Sequence, residues 1–161
     1  MFRKVIIGLL SCCSMIKLAC SQTNSFQFEG LGNGILYSFN YEHVHPLKTN
    51  AIAFRLGAGY TPFDGSNFIT IPASLNYIIG RGPHKLELGV GGVYYDGKLY
   101  IVGDYEYHSS FGAFTNVYYR YDHPDKRMIF RIGLNPLVSD ELTAALWFGV
   151  GFGVKIGKLN P

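Results

Sequence analysis

The sequence has little charge and few cysteines for its length. Charged residues make up 16% of the 161 residues, well below the roughly 25% of ordinary soluble domains. The three cysteines, Cys12, Cys13 and Cys20, all lie near the N-terminus. A disulfide framework or a cysteine-ligated metal site is therefore excluded for the rest of the chain. The apolar run 5–16 has 12 residues, too few for a helix that crosses a membrane, which needs about 20.

The N-terminal segment has the organisation of a secretory signal peptide. Arg3 and Lys4 form a basic start, and the apolar run follows. Ala19 and Ser21 then supply the small residues that a cut after Ser21 requires. We therefore expect residues 1–21 to be removed and residues 22–161 to form one domain. A buried N-terminal helix is the alternative.

Processing at this point also changes the charge of the protein. Residues 1–21 contain three basic residues and no acidic one, so residues 22–161 contain 11 basic and 11 acidic residues. This balance predicts no nucleic acid partner. Cys20 leaves a second form of processing open, because LAC at 18–20 resembles the lipid-attachment site of bacterial lipoproteins. Lys17 stands where an aliphatic residue is expected in that site.

From residue 26 onward the apolar residues recur with period two, and no sustained helical period is present. Turn signals separate the alternating runs, as all-β proteins require. Short turns at 80–83 and 122–126 alternate with long connections at 61–67 and 96–108. If the short and long connections lie at opposite ends of a barrel, this alternation predicts an even number of strands with both termini at the same end. The eight predicted strands are 26–31, 35–44, 51–60, 68–79, 84–95, 109–121, 127–137 and 144–156.

One face of these strands is continuously apolar, whereas the other combines glycine, small polar residues and isolated charges. In LWFGVGFGVKIG (146–157), every even position is apolar, and Gly149, Gly151 and Gly153 occupy odd positions. Glycine serves poorly as a water-facing coat, but the narrow interior of a small barrel requires small residues. The pattern therefore favours an all-β fold, an eight-stranded antiparallel transmembrane β-barrel with its apolar face toward lipid. A soluble periplasmic lipocalin-like barrel, with the apolar face inward, is the alternative.

The charged residues of the second face should then lie in the barrel interior. Isolated charges are costly away from water, so these residues should pair with one another. Three acids and four bases are close to balanced, which indicates a polar plug and no open pore. The predicted lumen charge cluster comprises Glu29, Glu42, Glu87, Arg55, Arg120, Arg131 and Lys155.

Four segments together resemble small outer-membrane β-barrel proteins of Bacteroidetes-type bacteria. They are GLGNGILYSFNYEHV (30–44), ITIPASLNYIIGRGPHKLELGVGG (69–92), YRYDHPDKRMIFRIGLNPLV (119–138) and WFGVGFGVKIG (147–157). The resemblance covers nearly all of residues 22–161. It implies an exported protein, an outer-membrane location and a barrel of eight strands. It implies no defined activity and no catalytic residue.

Two small polar motifs could carry chemistry. His43 and His45 share one face at a strand end and could bind a metal, although no third ligand is evident. His108 and Ser110 also share a face, and they could form the Ser–His pair of a lipid-modifying hydrolase with an acid such as Glu87 or Glu106. The glycines of GVGFGV lack the strand–turn–helix context of a nucleotide site. We therefore predict no cofactor.

The sequence as a whole predicts a non-enzymatic outer-membrane β-barrel with a structural or surface-interaction role. Outer-membrane lipid would surround it. The loops 61–67, 96–108 and 138–143 would contact an extracellular or envelope protein, since 96–108 is rich in tyrosine and acidic residues. Simple extension of the strands above the membrane is the alternative for 96–108. The lipid-modifying hydrolase and the soluble ligand-binding barrel remain alternative functions.

Overall fold

The computed structural model describes residues 23–34, 36–63, 66–101, 104–139 and 145–156. The predicted signal peptide, Cys20 and residues 140–143 lie outside the described residues. Within these ranges no helix is long and apolar enough to cross a membrane. The eight strands are β1 (Thr23–Gly30), β2 (Tyr37–Pro46), β3 (Asn50–Phe63), β4 (Ser66–Ile79), β5 (His84–Ile101), β6 (Asp104–Asp122), β7 (Met128–Ser139) and β8 (Ala145–Ile156).

The strands form a closed antiparallel barrel in the order β1 to β8, so consecutive strands of the sequence are paired in the wall. The closing pair joins β1 to β8, where Phe28 lies opposite Phe152. On its other side Phe28 lies opposite Phe39 of β2. Closure leaves no unpaired edge in the barrel wall, which a lipid environment requires. The predicted eight-stranded antiparallel barrel is confirmed.

The two ends of the barrel differ in what they carry. Thr23, Ile156 and the turns 47–49, 80–83 and 123–127 lie at one end, which we call the terminus end. At the opposite end, the hairpin end, β1 leads into β2, β3 into β4, β5 into β6 and β7 into β8. Between these ends, aromatic and β-branched residues alternate along the strands with small or polar residues. Successive side chains of a pleated strand point to opposite faces, so each kind occupies one face.

The barrel wall is apolar on its outer face and polar on its inner face, the opposite of a soluble β-barrel. Large apolar side chains point outward, among them Ile69 at 61% and Phe148 at 63% relative exposure. The largest fully buried side chains include arginines and glutamates, such as Arg131 and Glu87, each at 0% exposure. A soluble barrel would bury the apolar face and hydrate the polar one. The soluble lipocalin-like alternative is therefore wrong, and the wall is that of a transmembrane barrel.

The apolar band has the height that a membrane barrel needs. On the outer face of β3, Ile52 lies near the terminus end and Tyr60 near the hairpin end, with Phe54, Leu56 and Ala58 between them. Eight residues of strand correspond to about 27 Å along the strand. A tilt of about 40° reduces this to roughly 20 Å, comparable with the ~25 Å band of outer-membrane barrels.

The predicted connections at 61–67 and 96–108 are wrong, because the strands continue through them. β5 runs to Ile101 and β6 starts at Asp104. The pair Asp96–Gly97 is typical of a turn, but Gly97 lies in the ladder opposite His108. In the first connection, only residues 64–65 separate β3 from β4. The strands thus extend through 96–108, as the alternative for this segment had it, and contact with a partner there stays a prediction.

The β5–β6 hairpin projects past its neighbours, by residues 104–111 on the side of β7 and by residues 99–101 on the side of β4. The last pair between β4 and β5 is Asn67 with Lys98, and the last pair between β6 and β7 is Gly112 with Ser139. Residues 104–111 of β6 thus pair with β5 but with no other described strand. This segment extends about 27 Å along the strand direction. Lys98 lies over the ring of Tyr107, 5.1 Å from its centroid, which stabilises the base of the projection.

Candidate functional site

The barrel interior holds a network of buried charges, which we call the lumen network. It is centred on Glu42 of β2 and Glu87 of β5. Arg55 Nη2 donates to Glu42 Oε2 at 2.9 Å and to Glu87 Oε1 at 2.5 Å. Arg120 Nη1 donates to both oxygens of Glu42 at 2.9 and 3.0 Å, and lies 3.3 Å from Glu87 Oε2. Two arginines therefore link two carboxylates across the lumen.

An upper arm of the lumen network runs from Glu87 toward the hairpin end. Arg131 Nη1 donates to Glu87 Oε1 at 3.0 Å, and its Nη2 lies 3.6 Å from Glu29 Oε1. Tyr118 Oη donates to the same Glu29 oxygen at 2.5 Å and accepts from Asn135 Nδ2 at 2.7 Å. The Arg131 guanidinium also lies over the Tyr118 ring, 4.9 Å from its centroid. Aromatic and ionic contacts thus fix both side chains.

The three buried glutamates and three buried arginines of the lumen network balance in charge. All six side chains are at 2% exposure or less. A buried charge without a partner is strongly destabilising, so the equality of signs is what makes a polar interior tolerable. Ser25 Oγ adds a further hydrogen bond to Glu42 Oε1 at 3.2 Å. The structure thus places six of the seven predicted cluster residues in one connected set.

A lower arm of the network reaches the terminus end through residues that the predicted cluster omits. Arg120 Nε donates to Asp122 Oδ1 at 2.9 Å, and Lys85 Nζ lies 2.6 Å from Asp122 Oδ2. Asp122 was placed in a predicted turn at 122–126, but it is the last residue of β6 and points inward. Lys155, the seventh predicted residue, lines the mouth of the barrel beside Lys85 and Asp122.

Glycines on the inner face provide the space that these side chains occupy. A Cβ at Gly149 would overlap the hydroxyl of Tyr118, and a Cβ at Gly89 would overlap the side-chain oxygens of Asn76 and Asn116. A Cβ at Gly151 would lie 3.1 Å from Arg131 Nη2. Gly149 of β8 is therefore required by the close approach of Tyr118 from β6, and Gly151 leaves room for the side chain of Arg131.

The hairpin end of the interior is filled by the turn 31–34 and by side chains beneath it. Asn33 is 4% exposed. Thr61 and Thr70 both donate through their hydroxyls to the carbonyl oxygen of Gly34 at 3.2 Å. Val93 and Phe114 form a small buried apolar cluster below this turn. The turn is thus held inside the mouth of the barrel.

At the terminus end, the described residues leave a space in the interior. A cavity of about 410 Å³, the terminus-end cavity, is lined by the turns 47–49 and 80–82 and by inward side chains of the strands. Its charged lining residues are Lys48, Arg81, Lys85, Arg120, Asp122 and Lys155. The cavity ends at Arg120, where the lumen network begins.

The predicted catalytic pair lies away from any described acid of the lumen network. His108 and Ser110 occupy inward positions of β6 near the hairpin end, opposite Gly97 and Tyr95. Glu87 lies opposite Tyr118, ten residues from His108, or about 34 Å along the strand. Glu87 therefore cannot serve as the third member of a triad with His108. The side chain of Glu106, the other candidate acid, lies outside the described part of the chain.

The predicted metal candidates lie at the terminus end of β2. His43 Nδ1 is 2.7 Å from Asn24 Oδ1, and His45 is exposed. Among the described residues, no group of three or more His, Cys, Asp and Glu side chains could hold a metal ion. The pair thus has no third ligand in the described part of the chain.

The fold is that of small eight-stranded outer-membrane barrels. The N-terminal β-barrel domain of Pseudomonas aeruginosa OprF aligns with a TM-score of 0.56 at 10% identity. Neisserial surface protein A aligns with a TM-score of 0.50 at 13% identity. Ail of Yersinia pestis, solved with the heparin analogue sucrose octasulfate, aligns with a TM-score of 0.51 at 10% identity. Each alignment covers 84% of this chain and 96% of the other chain.

No protein-family model matches the sequence, and no curated protein matches it either. At identities of 10–13% the three structures show a shared fold. A shared fold does not define a shared function, since one fold supports many functions.

Proposed function

We propose that the protein is a non-enzymatic outer-membrane β-barrel with a structural or surface-interaction role. The observation that carries this proposal is the reversal of its faces, with an apolar band outside and a balanced ionic network inside. The apolar band requires a membrane around it, and the ionic network fills the space that a pore would need. The signal peptide 1–21 would direct export, and outer-membrane lipid would surround the band.

The interior supports a closed barrel. Eight strands leave room for little more than packed side chains. Here Arg55 and Arg131 each reach Glu87 two strands away, and Arg120 reaches Glu42 on a distant strand. The turn at Asn33 and Gly34 fills the hairpin end above them. A conducting pathway would require these cross-lumen contacts to break together.

The β5–β6 hairpin supports the surface-interaction role. It extends beyond the wall and presents Tyr107 at 78% exposure. The segments 61–67, 96–108 and 138–143 carry six acidic residues and one basic residue, Lys98. A partner at this end would therefore be basic or would bind through cations. This acidic end does not suit a sulfated ligand such as the one in the Ail structure.

Fractionation of cells that express the full chain tests the location. We expect the protein in the outer-membrane fraction, resistant to extraction without detergent, with a gel mobility that changes on boiling. Recovery in the soluble periplasm would contradict the proposal. In planar bilayers we expect no stable channel, and sustained single-channel steps would contradict the closed interior.

The surface role is tested by neutralising the hairpin. The triple variant Asp96→Asn, Asp104→Asn, Glu106→Gln should weaken attachment of expressing cells to a polylysine-coated surface. Asp125→Asn, a carboxylate-to-amide change in an exposed turn at the terminus end, is the matched control. Equal attachment by the triple variant and the parent would remove the support for contacts through this end.

A further inference from the structure

The terminus-end cavity carries a large excess of positive charge. Apart from Arg120, whose charge belongs to the balanced lumen network, its lining contains Lys48, Arg81, Lys85 and Lys155 against a single carboxylate, Asp122. Four cations against one anion leave three positive charges. A cavity lined by one sign of charge, with low-dielectric walls, concentrates ions of the opposite sign.

Most of these cations have no carboxylate partner. Lys85 pairs with Asp122 at 2.6 Å, and this pair is largely shielded from water. Among the described residues, no carboxylate lies within salt-bridge distance of Lys48, Arg81 or Lys155. Lys155 is half-buried where β8 meets β1, and its alkyl chain leads into the cavity. A half-buried ammonium without a partner is costly, so an anion bound there would be stabilised.

Polar uncharged groups complete the lining. Thr23 and Thr49 contribute hydroxyl groups around the same space. Charge-assisted hydrogen bonds from lysine and arginine are the strong contacts for phosphate and carboxylate oxygens. A volume of about 410 Å³ falls in the range of small-molecule sites. It exceeds what a single inorganic ion needs.

We propose that the terminus-end cavity binds a water-soluble small molecule that carries two or more phosphate-type negative charges. The cavity opens along the barrel axis, toward water, whereas the lipid headgroups surround the outer wall. A soluble ligand therefore fits its position better than a lipid headgroup does. This site is independent of any contact that the hairpin end makes.

Titration with pyrophosphate tests the site. The probe is added to the purified barrel in phosphatidylcholine nanodiscs and binding is followed by calorimetry. We expect saturable binding of one pyrophosphate per barrel that weakens as salt rises. Lys155→Gln and Arg81→Gln should each lower the affinity by about tenfold or more, since each removes a charge-assisted contact. Absence of saturable heat at millimolar pyrophosphate would overturn the proposal.

Two controls separate a site from diffuse attraction. Lys98→Gln removes a charge at the hairpin end, and Lys126→Gln removes one from an exposed turn at the terminus end outside the cavity. Both variants should bind as the parent does. Losses as large as that of Lys155→Gln would show attraction to net charge alone and overturn the site. Heat-dependent gel mobility of every variant verifies that the barrel is folded.

A lipid arm distinguishes the two sources of phosphate. The titration is repeated in nanodiscs that contain phosphatidylglycerol at the same salt concentration. A soluble ligand predicts that Lys155→Gln changes the affinity by the same factor in both lipids. Complete suppression of pyrophosphate binding by phosphatidylglycerol would identify the headgroup as the occupant and overturn the soluble ligand.

Discussion

Replacement of Glu87 by glutamine tests the lumen network most directly. Glu87 is fully buried and accepts hydrogen bonds from Arg55, Arg120 and Arg131 at 2.5, 3.3 and 3.0 Å. The variant keeps the shape of the side chain but removes its charge. Three buried guanidiniums then face two glutamates. The new amide N–H₂ group is a hydrogen-bond donor, and it lies against arginine N–H groups that are donors too. Removal of one partner from a buried ion pair costs about 3–5 kcal/mol.

Urea unfolding measures this loss in detergent micelles, followed by far-ultraviolet circular dichroism. With a slope of about 2 kcal/mol per M, the midpoint should fall by roughly 1.5–2.5 M. Asp125→Asn makes the same chemical change in an exposed turn and should stay within about 0.5 kcal/mol of the parent. The double variant Glu87→Gln, Arg131→Gln restores the balance of charge and should recover part of the loss. A midpoint for Glu87→Gln equal to that of Asp125→Asn would refute the reasoning.

Three further predictions concern the wall, the glycines and the polar pair on β6. Val150→Arg, in the middle of the outer face of β8, should lower stability in lipid vesicles by about 2–4 kcal/mol, whereas Ile156→Arg at the strand end should cost about 0–1 kcal/mol. The two positions are equally exposed, at 43% and 42%, so equal costs would argue against a membrane around this face. Gly149→Ala should destabilise the barrel by about 1–3 kcal/mol through overlap with Tyr118. Gly30→Ala, with open space around the added methyl group, should leave the stability unchanged. Urea midpoints measure both variants, and an unchanged midpoint for Gly149→Ala would contradict the close packing. Ser110→Ala and His108→Ala should leave the acylation of lipid A unchanged by mass spectrometry, and a change in either would favour the hydrolase.

The fold was predictable because period two is a property of each strand alone. In β8 the alternation of Phe148, Val150 and Phe152 with Gly149 and Gly151 identifies the faces without knowledge of any neighbour. Glycine on the second face then decides which side is inside, since only a crowded interior needs it. The same argument predicts that Arg55 and Glu87 point inward.

The pairing inside the barrel was not predictable, because it depends on how far each strand is shifted relative to the others. Arg120 reaches Glu42, 78 residues away, across the lumen. Nothing in the spacing of either residue indicates this. Asp122 was missed because His123 and Pro124 follow it and are typical of a turn. The length of β5 was missed for a related reason, since Asp96–Gly97 is a common hairpin signal.

The contacts across the lumen also determine when stability is acquired during folding. Seven of the eight strand pairings join neighbours in the sequence, but β1 and β8 lie at opposite ends of the chain. Glu29 on β1 reaches Tyr118 only once the sheet has curled, and Glu42 on β2 reaches Arg120 in the same way. Formation of such distant contacts is slow because chain entropy is lost first. The contacts of Glu29 and Glu42 with β6 therefore form together with the β1–β8 seam, so the barrel should gain much of its stability in one late, cooperative step.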